Sequence, residues 1–164
     1  MKIILHIFLT VLCLSLFAQK NSKIEIINAD NTYSNSILHP EYLRLIGNVI
    51  FKHNDAIMNC DSAHHFLELN KINAFGNIKV NQGDSINLSG GRLTFLGSQN
   101  NIKIKKNVVF KDKYMQLSTE EILYDLKNNI VLYPFESTII DNEKIIISKK
   151  GEYQVKKYNF IFKD

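Results

Sequence analysis

The feature that most constrains this chain is a short motif that returns at a nearly constant interval. Gly47-Asn48-Val49 recurs 29 positions later as Gly76-Asn77-Ile78, and a further 30 positions on as Lys106-Asn107-Val108. A weaker fourth copy begins near Ser137. A unit of about thirty residues cannot bury an apolar face alone, so its neighbours must stack against it. The repeat therefore predicts one domain built from similar, stacked units.

Within the units, apolar and polar residues alternate with a period of two, as in Ile102-Lys103-Ile104. That period is typical of strands that bury one face, and short turn-forming stretches such as Asn54-Asp55 separate the strands. The segment from Leu117 to Leu126 is the best helix candidate, yet it continues the alternation and is predicted to be a strand. A first strand is expected from Lys23 to Ile27. The sequence thus predicts an all-β fold.

The N-terminal segment has the layout of a secretory signal peptide. Met1-Lys2 is followed by an almost unbroken apolar stretch, Ile3 to Phe17, and then by the small residue Ala18. We predict a signal peptide at residues 1–18, helical in conformation, and a single β-domain at residues 19–164. An uncleaved membrane anchor is the alternative. Cys60 is then the one remaining cysteine, so no intramolecular disulfide is expected.

The formal charge of +4 arises mostly from lysines that are spread along the chain. No platform of alternating aromatic and basic residues occurs, so nucleic acid is not predicted as a partner. A mildly basic exported protein could suit an anionic partner such as a phosphorylated glycolipid.

One stretch is dense in residue types that bind metals. On a regular strand His64 and His65 would point to opposite faces, with Cys60 on the face of His64 and Asp61 on that of His65. This arrangement predicts no metal site, and it predicts a histidine pair at the surface or rim beside a structural aspartate. The cluster comprises His53, Asp55, Cys60, Asp61, His64 and His65.

No catalytic arrangement is recognisable in the sequence. Cys60 lacks an oriented third group, so a thiol nucleophile is not predicted. Gly90-Gly91 follows a strand without the lysine and helix of a phosphate-binding loop, and it is predicted to be a bulge or tight bend. Glu120 and Glu121 would face apart on a strand. We therefore predict no enzyme activity, no catalytic residue, no metal and no cofactor.

Three stretches together resemble the OstA-like family: Leu45 to His53, Ala56 to Ala63, and Asn73 to Val80. Tyr124 to Asn129 and Tyr133-Pro134 are also similar to family signatures. The family includes relatives of the periplasmic bridge protein of lipopolysaccharide transport and of the N-terminal domain of its outer-membrane partner. The resemblance covers about Ile24 to Asp164. It implies an open, twisted β-jellyroll whose two sheets form a V-shaped trough.

The resemblance also implies a function, a non-enzymatic carrier of lipopolysaccharide in the periplasm, with outer-membrane association left open. Acyl chains would lie in the apolar interior and the sugar headgroup in solvent. Other β-jellyroll transport proteins would pair end to end through edge strands, and a homo-oligomer is left open. We expect the following residues to line the lipid-binding groove: Val49, Phe51, Ile78, Val80, Leu93, Phe95, Ile104, Val108, Phe110, Leu117 and Tyr124.

Alternatives remain at this stage. The same apolar residues would fill an ordinary closed core, in which case the protein would be a strand-pairing scaffold that binds no lipid. A β-solenoid polysaccharide enzyme would need convergent carboxylates on one face, where the sequence has mainly Lys, Asn and Ser. The final strand stops at Phe160 to Asp164, just before another Asn-Val copy would follow. We expect a partner strand or further sequence at that edge.

Overall fold

The computed structural model of the protein describes residues 23–35, 37–141 and 144–163. The predicted signal peptide therefore lies outside the described residues. Thirteen strands and one short 3-10 helix, Val155–Lys157, are present in the described part. The strands are β1 (Glu25–Asn28), β2 (Asn31–Asn35), β3 (His39–His53), β4 (Ala56–Phe66), β5 (Lys71–Gln82), β6 (Ile86–Leu96), β7 (Asn101–Lys111), β8 (Met115–Asp125), β9 (Ile130–Tyr133), β10 (Ser137–Asp141), β11 (Lys144–Ser148), β12 (Lys150–Gln154) and β13 (Asn159–Lys163).

The strands form one antiparallel sheet whose order follows the chain closely. From β3 to β8 each strand pairs with the next through a short hairpin turn. The sheet forks at both ends: β1 and β2 lie along different parts of β3, and β9 and β10 along different parts of β8. In the part of the chain that the structure describes, no helix has the length and apolar character to span a membrane.

A row of β-bulges crosses the six long strands at mid-length. Gly47-Asn48, Gly76-Asn77 and Lys106-Asn107 each place two residues opposite a single residue of the neighbouring strand. All six residues of these pairs have a positive φ. The motif that recurs in the sequence is therefore the bulge, and we call the row of bulges the spine.

The spine divides the long strands into two layers whose apolar faces oppose each other. Layer A contains the strand halves with Leu45 and Ile104, and layer B those with Val49 and Val108. Ring contacts join the layers, since Phe51 of layer B meets His65 of layer A with centroids 5.7 Å apart. The hairpin turns of both layers lie away from the spine and form the edge that we call the mouth. This arrangement confirms the predicted open all-β jellyroll.

Each bulge brings its strand close to a neighbouring segment of the chain. The contact is tolerated because one of the two residues that meet there is a glycine. At Gly47 and Gly76 a Cβ would overlap the carboxylates of Asp30 and Asp61. Those carboxylates accept hydrogen bonds from Asn48 and Asn77, each at 2.9 Å. In the third copy Lys106 replaces the glycine, and the neighbouring residue is Gly91 in place of an aspartate. In this copy the glycine is therefore on the partner strand and not at the bulge itself.

Several local predictions can be compared with the structure directly. The segment around Ile122 is strand β8, as the alternation predicted, and Gly90-Gly91 lies at a bulge. The predicted first strand is displaced slightly and spans Glu25–Asn28. Val155 begins the short 3-10 helix, and the residue that caps its C-terminal end, Tyr158, has a φ of 53°.

Candidate functional site

A cavity of about 250 Å³ lies between the two layers near the mouth. Its walls are the apolar faces of β3 to β8, and its rim is formed by hairpin turns of both layers. Engineered apolar cavities of about 150 Å³ already bind small hydrocarbons, so this space is large enough for an apolar ligand. The apolar walls comprise Ile24, Phe51, Ala56, Met58, Ile72, Val80, Ile86, Leu88, Leu93, Phe95, Ile102, Tyr124 and Leu126.

All eleven residues that the sequence analysis assigned to the groove are buried between the layers. The structure brings five of them to the cavity: Phe51, Val80, Leu93, Phe95 and Tyr124. The other six do not line it. Four of these six flank the spine: Val49, Ile78, Ile104 and Val108. Phe110 and Leu117 lie farther along the trough, and all six belong to the closed core.

Sequence reasoning missed part of the lining. Met58, Ile72 and Leu88 follow the same alternation as the predicted residues. The alternation shows that a residue faces inward, but it does not show whether that residue lies near the spine or near the mouth. Ile24 precedes the first strand, yet it is buried, and its backbone N–H donates a hydrogen bond to Asn70 Oδ1 at 3.2 Å. Since β1 pairs with layer B and Asn70 belongs to a turn of layer A, Ile24 crosses between the layers at this end of the cavity.

The rim of the cavity is polar. On the layer B side His53 reaches across to Phe95, with ring centroids 4.8 Å apart. Asp55 and Lys127, from turns of opposite layers, place charges of opposite sign at the rim. Such a site can hold an apolar chain inside while a polar group stays at the edge in water. The remaining polar residues of the rim are Asn54, Gln82 and Asn100.

Tyr124 is the exception to the apolar wall. Its side chain is 2% exposed, and its hydroxyl makes no hydrogen bond with any described residue. Burial, with smaller effects of the Asp55, Asp112 and Asp125 carboxylates, raises the pKa of this phenol to about 12. The hydroxyl is therefore neutral at physiological pH, buried, and unpaired among the described residues.

The far end of the trough is filled by aromatic side chains. Phe110 contacts Tyr124 and Tyr153, with centroids 5.7 and 6.2 Å apart. The Tyr153 hydroxyl on layer A donates a hydrogen bond to buried Asp112 in a turn of layer B. None of the described residues of β9 to β13 lines the cavity.

The histidine and cysteine cluster differs from the prediction. Cys60 and His65 are both buried on the inner face, whereas His64 points outward and stacks on Tyr42 at 4.2 Å. The predicted faces of Cys60 and Asp61 are thus wrong, because the alternation along β4 reverses at Asp61, which lies opposite the Gly47-Asn48 and Gly76-Asn77 bulges of the neighbouring strands. His65, expected at the surface or rim, is 3% exposed. Asp61 has the structural role expected of it.

These positions do not assemble a reactive centre. Within residues 23–35, 37–141 and 144–163 no group of three or more His, Cys, Asp or Glu side chains is placed to hold a metal ion. Burial raises the pKa of the Cys60 thiol to about 11. It therefore stays protonated and a poor nucleophile at neutral pH. The chemistry that the arrangement supports is apolar binding.

Comparisons with known proteins agree with the geometry. The profile of a family described as OstA-like protein matches residues 21–164. Among solved structures, LptH from Pseudomonas aeruginosa aligns with a TM-score of 0.59 at 14% identity, over 67% of this chain and 80% of that chain. LptH is the LptA-homologous periplasmic component of a conserved lipopolysaccharide transport device, and at this identity the likeness shows the fold alone. A sequence search of curated proteins found no match. The family match covers nearly all of the chain, which therefore belongs to the OstA-like family.

Proposed function

We propose that this protein is a non-enzymatic periplasmic carrier module that binds an acyl chain of lipopolysaccharide between its two layers. The observation that carries the proposal is the apolar cavity with a polar rim. Family membership and the fold shared with LptH, a periplasmic component of lipopolysaccharide transport, support the choice of lipid and compartment. The predicted signal peptide agrees with that compartment.

Binding would require no covalent chemistry. Each methylene removed from water contributes about 0.8 kcal/mol, so a chain segment of several methylenes gives useful affinity. Pockets for drug-sized ligands measure about 300–1,000 Å³, and the cavity of about 250 Å³ lies just below that range. We infer that one module holds a segment of one chain at a time, with the headgroup at the mouth.

Binding of lipopolysaccharide to the purified full chain tests this proposal. Val80→Phe should fill the cavity, since Val80 lines it on layer B. We expect at least about tenfold weaker binding, which corresponds to about 1.4 kcal/mol. Val109→Phe is the matched control, because Val109 lies on the outer face of β7 between two buried neighbours and adds the same bulk outside the cavity.

The outcomes separate the possible functions. Retained binding in Val80→Phe would exclude the cavity as the lipid site. Absence of lipopolysaccharide binding by the unmodified protein would refute the carrier function and favour a scaffold. Equal losses in both variants would indicate damage to the fold, which circular dichroism spectra of each variant would reveal.

A strand-pairing role is the second candidate, and the edge strands favour it. In the described part of the chain β11 pairs only with β10, and its Ile145 and Ile147 side chains are each 70% exposed. Phe162 on β13 at the end of layer A is also exposed. Edge strands with apolar side chains are suited to sheet extension by another chain. End-to-end pairing with another β-jellyroll protein is compatible with lipid carriage.

Site-specific crosslinking distinguishes pairing from carriage. A crosslinker at Ile147 should capture a second β-jellyroll chain if β11 is a docking edge. One at Thr94, on the outer face in mid-sheet, is the control and should capture none. Capture at neither position, or equal capture at both, would contradict strand pairing through β11.

A further inference from the structure

Two neighbouring hairpin turns at the mouth of layer A carry large aliphatic side chains into solvent. Ile37 and Leu38, in the turn between β2 and β3, are 89% and 70% exposed. Leu67 and Leu69, in the turn between β4 and β5, are 59% and 58% exposed. Because β3 and β4 pair in the sheet, the two turns project from the same edge. We call these four side chains the apolar tips.

Both turns have a backbone that hydrogen bonds define. Asn35 Oδ1 accepts hydrogen bonds from the N–H groups of Ile37 at 3.1 Å and Leu38 at 2.8 Å. In the second turn the Asn70 N–H donates to the Leu67 carbonyl at 3.1 Å. Asn side chains that bond to the backbone two or three residues on are a recognised way to stabilise a turn. The apolar tips therefore belong to defined turns of the sheet edge.

The repeat shows that the fold does not require leucine at a tip. The next turn of layer A, between β6 and β7, has Gln99 in the place of Leu69. The two turns share a backbone form, since Asn70 and Asn100 close them with φ values of 46° and 54°. A polar residue thus serves the same turn. Single exposed apolar residues are ordinary, but a cluster of them marks an interaction site.

The chemistry of the apolar tips favours a lipid surface over a protein surface. All four side chains are aliphatic, whereas the anchors of protein interfaces are enriched in Trp, Tyr and Arg and poor in Leu. Projecting turns can enter the interface of a bilayer as separate points, and each methylene buried there contributes about 0.8 kcal/mol. Glu68 within the second turn and Lys71 directly after it have opposite charges. The attraction is therefore apolar and not electrostatic.

The apolar tips lie beside the entrance of the cavity. Asn70 ends the second turn, and its Oδ1 accepts the hydrogen bond from Ile24, which lines the cavity together with Ile72. On the layer B side of the mouth the turns contain Asp55 and Asp84, which favour water. A membrane that received the apolar tips would thus lie against the layer A side of the mouth.

We propose that the apolar tips dock the protein on a lipid bilayer by inserting into its interfacial layer beside the mouth of the cavity. The inference goes beyond the proposed function, because docking depends on the tips and not on what the cavity holds. Docking places the cavity entrance where an acyl chain leaves the membrane. Since the contact is apolar, it should form on zwitterionic vesicles and persist at high salt.

Tryptophan reporters test docking at the tips themselves, because the sequence contains no tryptophan. Leu38→Trp and Leu69→Trp each give the full chain a single reporter. We expect their emission to move to shorter wavelength on addition of phosphatidylcholine vesicles free of lipopolysaccharide, and to be quenched when the acyl chains carry bromine. Ile147→Trp is the matched control, since Ile147 is 70% exposed like Leu38 but lies on β11. Its emission should not change.

A second set of variants measures how much the apolar tips contribute. Ile37→Ser combined with Leu38→Ser should weaken vesicle binding in sedimentation by at least about tenfold, because two aliphatic side chains no longer leave water. Ile145→Ser combined with Ile147→Ser removes exposed side chains of the same kind from β11 and should bind like the unmodified protein. Val80→Phe should also bind normally, because Val80 lines the cavity and not the tips.

The opposite results overturn the inference. They are a silent reporter at both tips, an equal response of the control reporter, or full vesicle binding by the serine variant of the tips. Loss of docking in Val80→Phe would assign it to the cavity. Dissociation of an oligomer by the serine substitutions, seen by ultracentrifugation without vesicles, would assign the tips to contacts between copies. Docking without any binding of lipopolysaccharide would reject the carrier function and leave this inference intact.

Discussion

The two ends of the trough are built from the same repeat and have opposite interiors. Around β3 to β6, together with Ile102 of β7 and Tyr124 of β8, the layers enclose a cavity walled mainly by aliphatic side chains and two phenylalanines. Around β7 to β13 the rings of Phe110, Tyr153 and Phe160 fill the space, and the hydrogen bond from Tyr153 to Asp112 ties the layers together. Tyr124 lies at the boundary and contacts both.

The difference teaches that alternation determines which residues face inward, while their size and polar partners determine whether the interior is closed. Aromatic rings fill the gap between the layers at one end, whereas a cavity remains at the other end, where smaller side chains such as that of Val80 face inward. Protein interiors are normally packed as densely as organic crystals, so a cavity of about 250 Å³ is a local departure from ordinary core packing. The open end would be the binding end, and the filled end would hold the layers in register.

The largest expected effect comes from truncating an aromatic ring in the filled end. Phe110→Ala removes a fully buried ring with two aromatic neighbours and should lower the free energy of unfolding by about 3–5 kcal/mol. Phe95→Ala is the matched change beside the cavity, where the ring has fewer neighbours to lose. We expect a loss smaller by about 1 kcal/mol or more. Urea unfolding of both variants measures the difference, and equal losses would contradict two distinct interiors.

A substitution in the spine should affect both ends, because the bulge orients both layers. Gly76 has a φ of 75°, and an added Cβ would overlap the Asp61 carboxylate. Gly76→Ala should therefore lower stability by about 2 kcal/mol. Gly83→Ala also places a Cβ at a positive φ, but this Cβ would meet Asp55 Oδ2 only at 4.0 Å, so the substitution should lower stability less. A greater loss in Gly83→Ala would argue that the contact with Asp61 is unimportant.

The hydroxyls of two tyrosines offer a direct comparison of the ends. Tyr153→Phe breaks the hydrogen bond to buried Asp112 and should lower stability by about 1–2 kcal/mol. Tyr124→Phe removes a hydroxyl that has no partner, so stability should stay within about 0.5 kcal/mol or rise. Thermal unfolding at neutral pH measures both. A larger loss in Tyr124→Phe would show that its hydroxyl has a partner within the protein.

The smallest expected effect is a gain in stability. Lys106 adopts a φ of 70°, which is unfavourable for a side chain with a Cβ. Lys106→Gly restores the residue found at this position in the first two copies, and it should raise stability by about 0.5–1 kcal/mol. A loss would indicate that contacts of the lysine side chain with Gly91 outweigh the relief of backbone strain.

The sequence predicted the fold to a large extent, because the alternation and the repeat each report a physical requirement of the sheet. Leu45, Ile78 and Phe110 face inward as expected. The side on which Cys60 lies was not predictable by counting along β4, since no residue of β4 itself marks the break in alternation at Asp61. The signal lay in the neighbouring strands, because the recurring Gly47-Asn48 and Gly76-Asn77 pairs mark bulges that give β3 and β5 one residue more than β4 at this point.

The cavity was less predictable than the fold. Val80 and Val108 follow the same alternation, yet only Val80 lines the cavity, because depth between spine and mouth depends on the three-dimensional bend of the strands. The unpaired hydroxyl of Tyr124 also has no sequence signature, since Tyr133 and Tyr153 likewise lie on strands and find partners only in distant residues, Ser148 and Asp112. Both the position of the cavity and the lack of a partner for the Tyr124 hydroxyl depend on neighbours in three dimensions, which the local sequence does not specify.

The central claim is that the cavity end of the trough receives an acyl chain. Photo-crosslinkers placed at Phe95 and at Phe110, in cells that depend on this protein, test it most directly. Phe95 lines the cavity, whereas Phe110 is packed in the filled end. The account predicts capture of lipopolysaccharide at position 95 and little or none at position 110. Capture at neither position, or equal capture at both, would contradict it.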